Sequence, residues 1–303
     1  MTRKVKGIAM ALFGPGMWGV MGVFVRPLSE AGFSNMEITF VRCIICSFLF
    51  FMLVMFTNPS ALKVGGKGIL ASVFYGLCAY SIGFTSYNIA VTRISVSIAT
   101  VLMFTAPVWV TIMGMLFFRD KPGKNKIIAI AVCFVGAILA ADVIGTDVTG
   151  SLDPLGIIMS LVNGMGVASQ LVIPRFFDNS FEKDTLMTYG LLTAAITMVP
   201  FVEFDKFAVA FSGTPEGNRI ALCLVCLGVL CTFCANGAYV KATNFIDTLS
   251  VSILSADYVV VGFIVSFLVF GESVTPLQVA GAVIICVGAL YPNIMELSRR
   301  SER

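Results

Sequence analysis

The chain has 303 residues, of which 58% are hydrophobic and only 12% are charged, and its formal net charge is +3. A soluble domain carries roughly a quarter of its residues as charged side chains, so this composition excludes an ordinary soluble protein. The mean hydropathy of +0.95 indicates a chain that lies in lipid over most of its length.

Ten apolar segments of about membrane length follow one another along the chain. A helix needs about 20 apolar residues to span a hydrocarbon core, and continuous runs without period-two alternation exclude barrel strands. The sequence therefore predicts an all-α polytopic membrane protein with ten transmembrane helices. They are placed near residues 7–27, 35–57, 67–91, 94–118, 126–142, 153–175, 184–203, 219–241, 246–270 and 275–295.

The ten segments form two sets of five that resemble each other. Residues 87–139 align with residues 239–291 at a constant offset of 152, with matches such as Gly136 and Gly288. An odd number of spans per set requires the second set to enter from the opposite side, which gives an inverted repeat around a central cavity. We predict two inverted five-helix repeats, residues 1–145 and 146–303.

Basic residues are concentrated on one side of the predicted helices. Fifteen of the twenty lysines and arginines lie near the two termini or in the connections after helices two, four, six and eight. The positive-inside rule then places both termini in the cytoplasm. The first apolar run is a full span without a small-residue cleavage site, so we interpret it as a retained helix. The cell (plasma) membrane is the expected location.

Glycine and proline are predicted to break corresponding helices in the two halves. The first helix contains Gly14-Pro15-Gly16 and then Trp18-Gly19, and the sixth contains Gly164 and Gly166. Backbone groups freed by a break are tolerated where they face protein or a wet cavity, whereas membrane glycines also permit close helix packing. Both interpretations stay open. The longest connection, roughly residues 203–218, is predicted to be a surface loop.

Two charged residues lie inside predicted helices, Arg42 in the second and Asp257 in the ninth. Intramembrane charges are costly, so each marks a candidate site. Arg42 would hold an anionic group, and Asp257 would hold a cationic group or a coupling proton. Alternatively, each is a buried structural partner, including of the other. Because the chain has no histidine, Asp257 is the candidate for proton coupling.

Polar and aromatic side chains recur at helical spacing on equivalent helices. Tyr80 and Asn88 share a stripe on the third helix, and Asn236 and Tyr239 do so on the eighth. Aromatic stripes are often only packing, but amides in apolar helices need partners. We predict a substrate site lined by Trp18, Arg42, Tyr80, Asn88, Asn163, Gln170, Asn236, Tyr239, Asp257 and Tyr258.

The sequence gives little indication of metal, cofactor or catalytic chemistry. Its nine cysteines include three C-x-x-C pairs, and this spacing suggests zinc or redox chemistry in soluble proteins. Each pair lies within an apolar helix, so packing is the preferred interpretation. We expect no enzyme activity, no metal and no cofactor. The expected partners are a small-molecule substrate and the lipid bilayer, without nucleic acid, and the expected state is a monomer or homodimer.

The chain resembles the EamA family of the drug/metabolite transporter superfamily over nearly its whole length. The resemblance rests on the order of Trp18, Arg42, Pro107, Asp120, Gly136, Glu272, Gly281 and Gly288 across the ten spans. It implies a secondary carrier for small metabolites, often an exporter of amino acids or related compounds. It also implies a central cavity lined by helices 1, 3, 4, 6, 8 and 9. Asp120 stands where the family usually has Glu, and Val259 stands where the second-half proline is expected.

These observations together predict a secondary transporter, and specifically an exporter that works by alternating access. Its substrate would be a small metabolite such as an amino acid or an amine-bearing compound, with Asp257 as the residue that couples transport to protons. The alternatives are a membrane-embedded enzyme acting on lipid-linked substrates and a scaffold or receptor. Such enzymes usually cluster acids and bases at one interface, and scaffolds expose longer loops or tails.

Overall fold

The computed structural model describes residues 3–94, 96–140, 153–177, 181–271 and 275–301, except for the side chains of 96, 97 and 291–301. Within these ranges the chain folds into helices and contains no strand. Glu272 and the predicted repeat boundary at residue 145 lie outside them. The successive helices are α1 Arg3–Glu30, α2 Asn35–Thr57, α3 Gly66–Val91, α4 Ile98–Phe118, α5 Lys124–Ala140, α6 Pro154–Phe176, α7 Lys183–Phe201, α8 Pro215–Ala242, α9 Thr248–Phe270 and α10 Pro276–Ser301.

Seven of the described helices, α1 to α4, α6, α8 and α9, are long and apolar enough to cross a membrane. Helix α7 passes the same criteria only together with the Phe204–Phe211 helix, from which it is bent by 107°. Helix α10 has a shorter apolar stretch at Pro276–Leu290, and α5 has 17 residues. The predicted all-helical fold is confirmed, while the arrangement as ten spans in two inverted repeats stays a prediction.

Local deviations from ideal helix recur at the offset of 152 residues seen in the sequence. Helix α3 contains a π-helical segment at Gly76–Ile82, and α8 contains one at Val229–Cys234. The last turns of α4 and α9 end in left-handed residues, Arg119 with φ of 56° and Gly271 with φ of 65°. Equivalent helices therefore share irregularities that hydropathy alone does not encode.

Helix packing follows the same equivalence. Helix α1 packs on α8 and α9, and its counterpart α6 packs on α3 and α4. Helix α5 packs along α10, and α2 packs along α7. When each helix is replaced by its equivalent five places along the chain, the same pairs of helices are in contact. The interface between the halves is therefore built mainly from pairs of equivalent helices and from α1 and α6, each lying against the other half.

The predicted break of α6 is wrong, because α6 is continuous. Helix α1 runs unbroken through Gly14-Pro15-Gly16 and is interrupted only at Val20 and Met21, directly after Gly19. A side-chain carbon on Gly14 would lie 2.5 Å from the carbonyl oxygen of Ala235, and one on Gly166 would lie 2.7 Å from Cα of Gly83. These glycines let α1 approach α8, and α6 approach α3, at backbone contact distance. The packing interpretation is therefore the one the structure supports.

The segment predicted as a surface loop contains the Phe204–Phe211 3-10 helix, and α8 already begins at Pro215. The ring of Phe204 packs against Phe40 with centroids 5.7 Å apart, and the ring of Phe207 packs against Phe33 at 5.2 Å. Apolar packing of Phe204 and Phe207, rather than the glycines that follow the 3-10 helix, therefore determines the local structure.

Candidate functional site

Arg42 is buried in α2 and is only 8% exposed. Its Nε donates a hydrogen bond of 3.0 Å to Thr232 Oγ1 on α8, and its Nη1 lies 3.3 Å from the sulfur of Met21. The guanidinium also lies over the ring of Phe84, 5.5 Å from the centroid. Among the described residues no carboxylate pairs with it. A buried cation with only neutral neighbours favours an anionic ligand.

Asp257 lies in α9 directly after a short interruption of the helix that follows Leu254. Its Oδ1 is buried and has no hydrogen-bond partner, and its Oδ2 faces Gly16 of α1. Arg42 and Asp257 do not pair with each other, so that structural alternative is wrong. A buried acceptor without a donor favours a ligand that brings an N–H group or a proton.

A tyrosine pair lies where the π-helical segment of α3 begins. The hydroxyls of Tyr75 and Tyr80 are 3.2 Å apart, and Tyr75 donates to the backbone oxygen of Gln170 on α6 at 3.3 Å. The ring of Tyr80 also contacts Phe84, with centroids 5.6 Å apart. Residues five apart do not share a face of an ideal helix with 3.6 residues per turn, so helical spacing did not group Tyr75 with Tyr80. The wider turn of the π-helical segment brings them together.

Trp18 and Tyr239 meet between α1 and α8. Their rings pack edge to face with centroids 5.1 Å apart. The Tyr239 side chain is fully buried, and its hydroxyl faces Ser252 and Ser255 without completing a hydrogen bond of ordinary geometry. A buried hydroxyl left in this state is available to a ligand.

Three predicted amides each leave a buried oxygen without a donor. Asn163 donates through Nδ2 to the backbone oxygen of Gly83 at 2.8 Å, and Asn236 donates to that of Thr232 at 2.8 Å. The side-chain oxygens of both, and of Gln170, have no partner among the described residues. All three side-chain oxygens lack a hydrogen-bond donor, and a ligand with an ammonium or amide group would supply one.

Asn88 and Tyr258 use their polar groups between helices. Asn88 Nδ2 donates to Thr39 Oγ1 of α2 at 3.3 Å and lies 3.4 Å from the sulfur of Met36. The Tyr258 hydroxyl donates to the backbone oxygen of Thr100 in α4 at 3.0 Å. Asn88 and Tyr258 therefore use their polar groups in contacts between helices, and neither has a buried polar atom without a partner.

A cavity of about 520 Å³ opens where α4, α6 and α8 end and α5, α7 and α9 begin; we call it the vestibule. Its apolar wall includes Val110, Leu171 and Leu249, and none of the ten predicted site residues lines it. Its charged lining comprises Asp120, Lys121, Lys126, Arg175, Lys183 and Asp247. The excess of bases over acids favours the entry of an anionic group.

Two ion pairs fix the charged lining of the vestibule. Arg175 bonds both carboxylate oxygens of Asp120, at 2.7 and 3.0 Å. Lys126 bonds Asp247 at 2.7 Å. Asp247 also accepts from the backbone and hydroxyl of Ser250 and so caps the start of α9. The sequence analysis did not place these charged residues around a shared cavity.

No group of three or more histidine, cysteine or acidic side chains that would hold a metal is found in the described part of the chain. All nine cysteines are free, and Cys43 and Cys46 are buried side by side on α2. These two serve as packing residues at the centre of the apolar core.

Comparison with known proteins gives consistent matches. The family model described as EamA-like transporter family matches residues 5–141 and 154–293. An uncharacterized transporter, YxxF, of Bacillus subtilis is 25% identical over 252 residues, which cover 82% of this chain and 75% of that protein. An S-adenosylmethionine uptake transporter of Rickettsia felis is 22% identical over 273 residues, which cover 88% of this chain and 87% of that protein.

A solved crystal structure superposes on 99% of this chain and 100% of its own, with a TM-score of 0.76 and 14% identity, which shows that the fold is shared. The family match covers both halves of the chain, and the described residues include seven candidate membrane spans. The chain is therefore a multi-pass integral membrane protein that belongs to the EamA-like transporter family.

Proposed function

We propose that the chain is a secondary carrier for a small zwitterionic or amine-bearing metabolite. The observation that carries this proposal is a pair of opposite charges without an ionic partner among the described residues, the buried Arg42 and Asp257, whose Oδ1 is buried. Arg42 would hold the carboxylate of the substrate and Asp257 its ammonium group. The unpartnered oxygens and rings nearby complete the proposed site, namely Trp18, Tyr80, Asn163, Gln170, Asn236 and Tyr239.

We further propose that transport proceeds by alternating access between two inverted halves, residues 1–145 and 146–303. Helices α5 and α10 pack antiparallel, because Gly136 lies against Ile285 while Gly288 lies against Cys133. Equivalent helices that pack antiparallel are related by a two-fold axis perpendicular to them. This axis would lie in the membrane plane, as the ten-span inverted repeat requires.

The charge distribution supports the proposed orientation and direction. The vestibule opens at the helix ends that carry Lys121, Lys126, Arg175 and Lys183. Under the positive-inside rule this end faces the cytoplasm, with both termini on the same side in the plasma membrane. We therefore propose export, with loading of a cytoplasmic substrate through the vestibule.

The relatives support a carrier over a membrane-embedded enzyme or a scaffold, because their names describe transporters. S-adenosylmethionine contains an amino acid group, which fits the proposed use of Arg42 and Asp257. We propose that Asp257 also carries the coupling proton, since the loss of the bound ammonium group would leave a buried carboxylate that is stabilised by protonation.

Counterflow in proteoliposomes that contain only this protein tests the proposal. Vesicles loaded with unlabelled substrate should accumulate labelled substrate, with amino acids, S-adenosylmethionine and simple amines as the panel. Asp257→Asn should abolish counterflow of amine-bearing compounds while the protein still inserts in the membrane. Asp205→Asn, at an exposed residue of the Phe204–Phe211 helix, is the matched control. Full activity of Asp257→Asn would remove Asp257 from the mechanism, and no counterflow with any compound would reject the carrier.

A further inference from the structure

Thr232 lies within the π-helical segment of α8 and contacts Arg42 of α2. Its side chain is fully buried, and its Oγ1 accepts the hydrogen bond of 3.0 Å from Arg42 Nε. The same oxygen donates its own hydrogen to the backbone oxygen of Leu227 at 2.8 Å. A hydroxyl has only one hydrogen to donate. Because that hydrogen is committed to Leu227, the lone pairs of Oγ1 face the guanidinium, and the direction of the bond from Arg42 is fixed.

The bond from Thr232 to Leu227 depends on the π-helical segment. In a regular helix a threonine bonds the carbonyl oxygen four residues back, as Thr188 does with Asp184. Thr232 instead reaches five residues back, because the wider turn of the π-helical segment brings the carbonyl of Leu227 within reach. The irregular turn of α8 therefore orients the hydroxyl that meets Arg42.

The equivalent π-helical segment of α3 carries a different pair of side chains. At the offset of 152, Leu227 corresponds to Tyr75 and Thr232 corresponds to Tyr80. The hydroxyls of these two tyrosines bond each other at 3.2 Å. The same spacing of five residues therefore orients a hydroxyl in both halves, but it serves a neutral pair in α3 and the buried cation in α8.

The two Nη groups of Arg42 are the part of the guanidinium left for a ligand. Within the described part of the chain, Nη1 has only the sulfur of Met21 at 3.3 Å, which is a weak acceptor. One face of the guanidinium lies over the ring of Phe84, and Nε is held by Thr232. The remaining edge carries two parallel N–H groups, and this arrangement binds a carboxylate through both of its oxygens.

We propose that Thr232 is a positioning residue, which holds the guanidinium of Arg42 so that its two Nη groups face the carboxylate of the substrate. This inference rests on the proposed function, in which Arg42 binds that carboxylate. Thr232 does not itself touch the substrate. Without its hydroxyl, Nε has no acceptor and the long arginine side chain takes several orientations, so that binding must first restore the productive one.

The test compares the KM of counterflow for a transported amino acid with that for its analogue without the carboxylate. Thr232→Val removes the hydroxyl and nearly keeps the shape of the side chain. Because one hydrogen bond contributes modestly in net terms, the KM for the amino acid should rise by about three- to tenfold. The KM for the analogue and the maximal rate should stay close to those of the wild type. Thr232→Ser keeps the hydroxyl and should restore the KM for the amino acid.

A double-mutant cycle tests whether Thr232 acts through Arg42. In the Arg42→Met background, Thr232→Val should not raise the KM further, because the group that Thr232 positions is gone. Thr188→Val is the matched control, since it removes a buried threonine hydroxyl that bonds Asp184 and not Arg42. It should leave both KM values unchanged.

Four results in an active carrier would overturn the positioning role alone. They are an unchanged KM in Thr232→Val, an equal rise for the amino acid and its analogue, no recovery in Thr232→Ser, and additive effects in the cycle with Arg42→Met. A wild-type chain without counterflow for any compound would instead reject the proposed function, and the positioning role with it.

Discussion

The thiol of Cys133 donates a hydrogen bond of 3.8 Å to the backbone oxygen of Ile285, and these two residues are 152 positions apart. That separation equals the offset at which the π-helical segments and the left-handed helix ends coincide. In the proposed inverted repeat, a residue that contacts its own equivalent lies close to the axis relating the two halves. The seam between α5 and α10 is therefore the place where a symmetric arrangement is most sensitive to substitution.

A methyl group at Gly281 should destabilise this seam. A side-chain carbon there would overlap the backbone nitrogen of Ala140 and would lie 2.6 Å from the backbone oxygen of Gly136. Backbone cannot move aside as a flexible side chain does, so the helices must separate, at a cost of about 1–3 kcal/mol. We expect Gly281→Ala to lower the midpoint of thermal unfolding in detergent by several degrees.

The matched control is Gly22→Ala in α1, where the nearest atom to an added carbon is in the ring of Phe270, 4.0 Å away. It should leave the midpoint unchanged or raise it slightly, because alanine has the higher helix propensity. Equal midpoints for the two variants would contradict the close packing of α5 on α10.

Arg42 should control the affinity for substrates that carry a carboxylate. In Arg42→Met the methionine fits the apolar surroundings, but the charge-assisted hydrogen bonds to an anion are lost. Such bonds contribute about 1.5–3 kcal/mol, so the KM for a transported amino acid should rise roughly 10- to 150-fold. The measurement is the concentration dependence of counterflow, with the amino acid compared against its analogue that lacks the carboxylate.

The analogue should be affected much less, and Arg219→Met, at an exposed residue near the start of α8, should leave both KM values unchanged. An equal loss for the acid and its analogue would show that Arg42 supports the fold rather than the ligand.

Hydropathy was sufficient to locate the helices, because the cost of exposing backbone to lipid forces each apolar run into a helix. Helix α2 occupies Asn35–Thr57, the predicted range. Its start follows from the capping box of Ser34 and Glu37, whose side chains accept hydrogen bonds from each other's backbone N–H groups.

Finer features did not follow from the sequence. A π-turn depends on how neighbouring helices pack, so the meeting of Tyr75 with Tyr80 was missed. Gly14 and Gly166 were predicted to break their helices, but each instead allows the backbone of another helix to approach closely. Asn88 was grouped with the substrate site from its stripe on α3, and only the structure shows its bond to Thr39.

The start of α6 should lose stability in acid. Arg93 donates to Asp153 at 2.8 Å, and this hydrogen bond lowers the pKa of the Asp153 carboxyl below its usual value. Asp153 also caps α6 by accepting from the backbone of Leu155. A carboxyl with a lowered pKa stabilises the fold above its unfolded pKa of about 4, and this contribution disappears as pH falls through the folded pKa.

We therefore expect the wild-type chain to unfold at a higher temperature than Asp153→Asn at pH 7 and the difference to close below about pH 4. Asp153→Ser, which keeps a capping oxygen without the charge, should show a midpoint that depends less on pH. A difference between wild type and Asp153→Asn that does not shrink as the pH falls from 7 to 3 would contradict this role.

Asp120 and Arg175 should act as one unit at the vestibule wall. The guanidinium bonds both carboxylate oxygens and stacks 4.0 Å from the centroid of the Phe118 ring. Both side chains are partly exposed, 44% for Asp120 and 28% for Arg175, so their coupling should be about 0.5–1 kcal/mol. A double-mutant cycle with Asp120→Asn and Arg175→Gln, followed by unfolding in detergent, measures it.

The coupling should weaken in high salt, because exposed charges are screened. Arg175→Lys should recover only part of it, since an ammonium group neither forms the two parallel bonds nor stacks on Phe118 as the planar guanidinium does. Strictly additive losses in the cycle would show that Asp120 and Arg175 stabilise their helices independently and do not link α4 to α6.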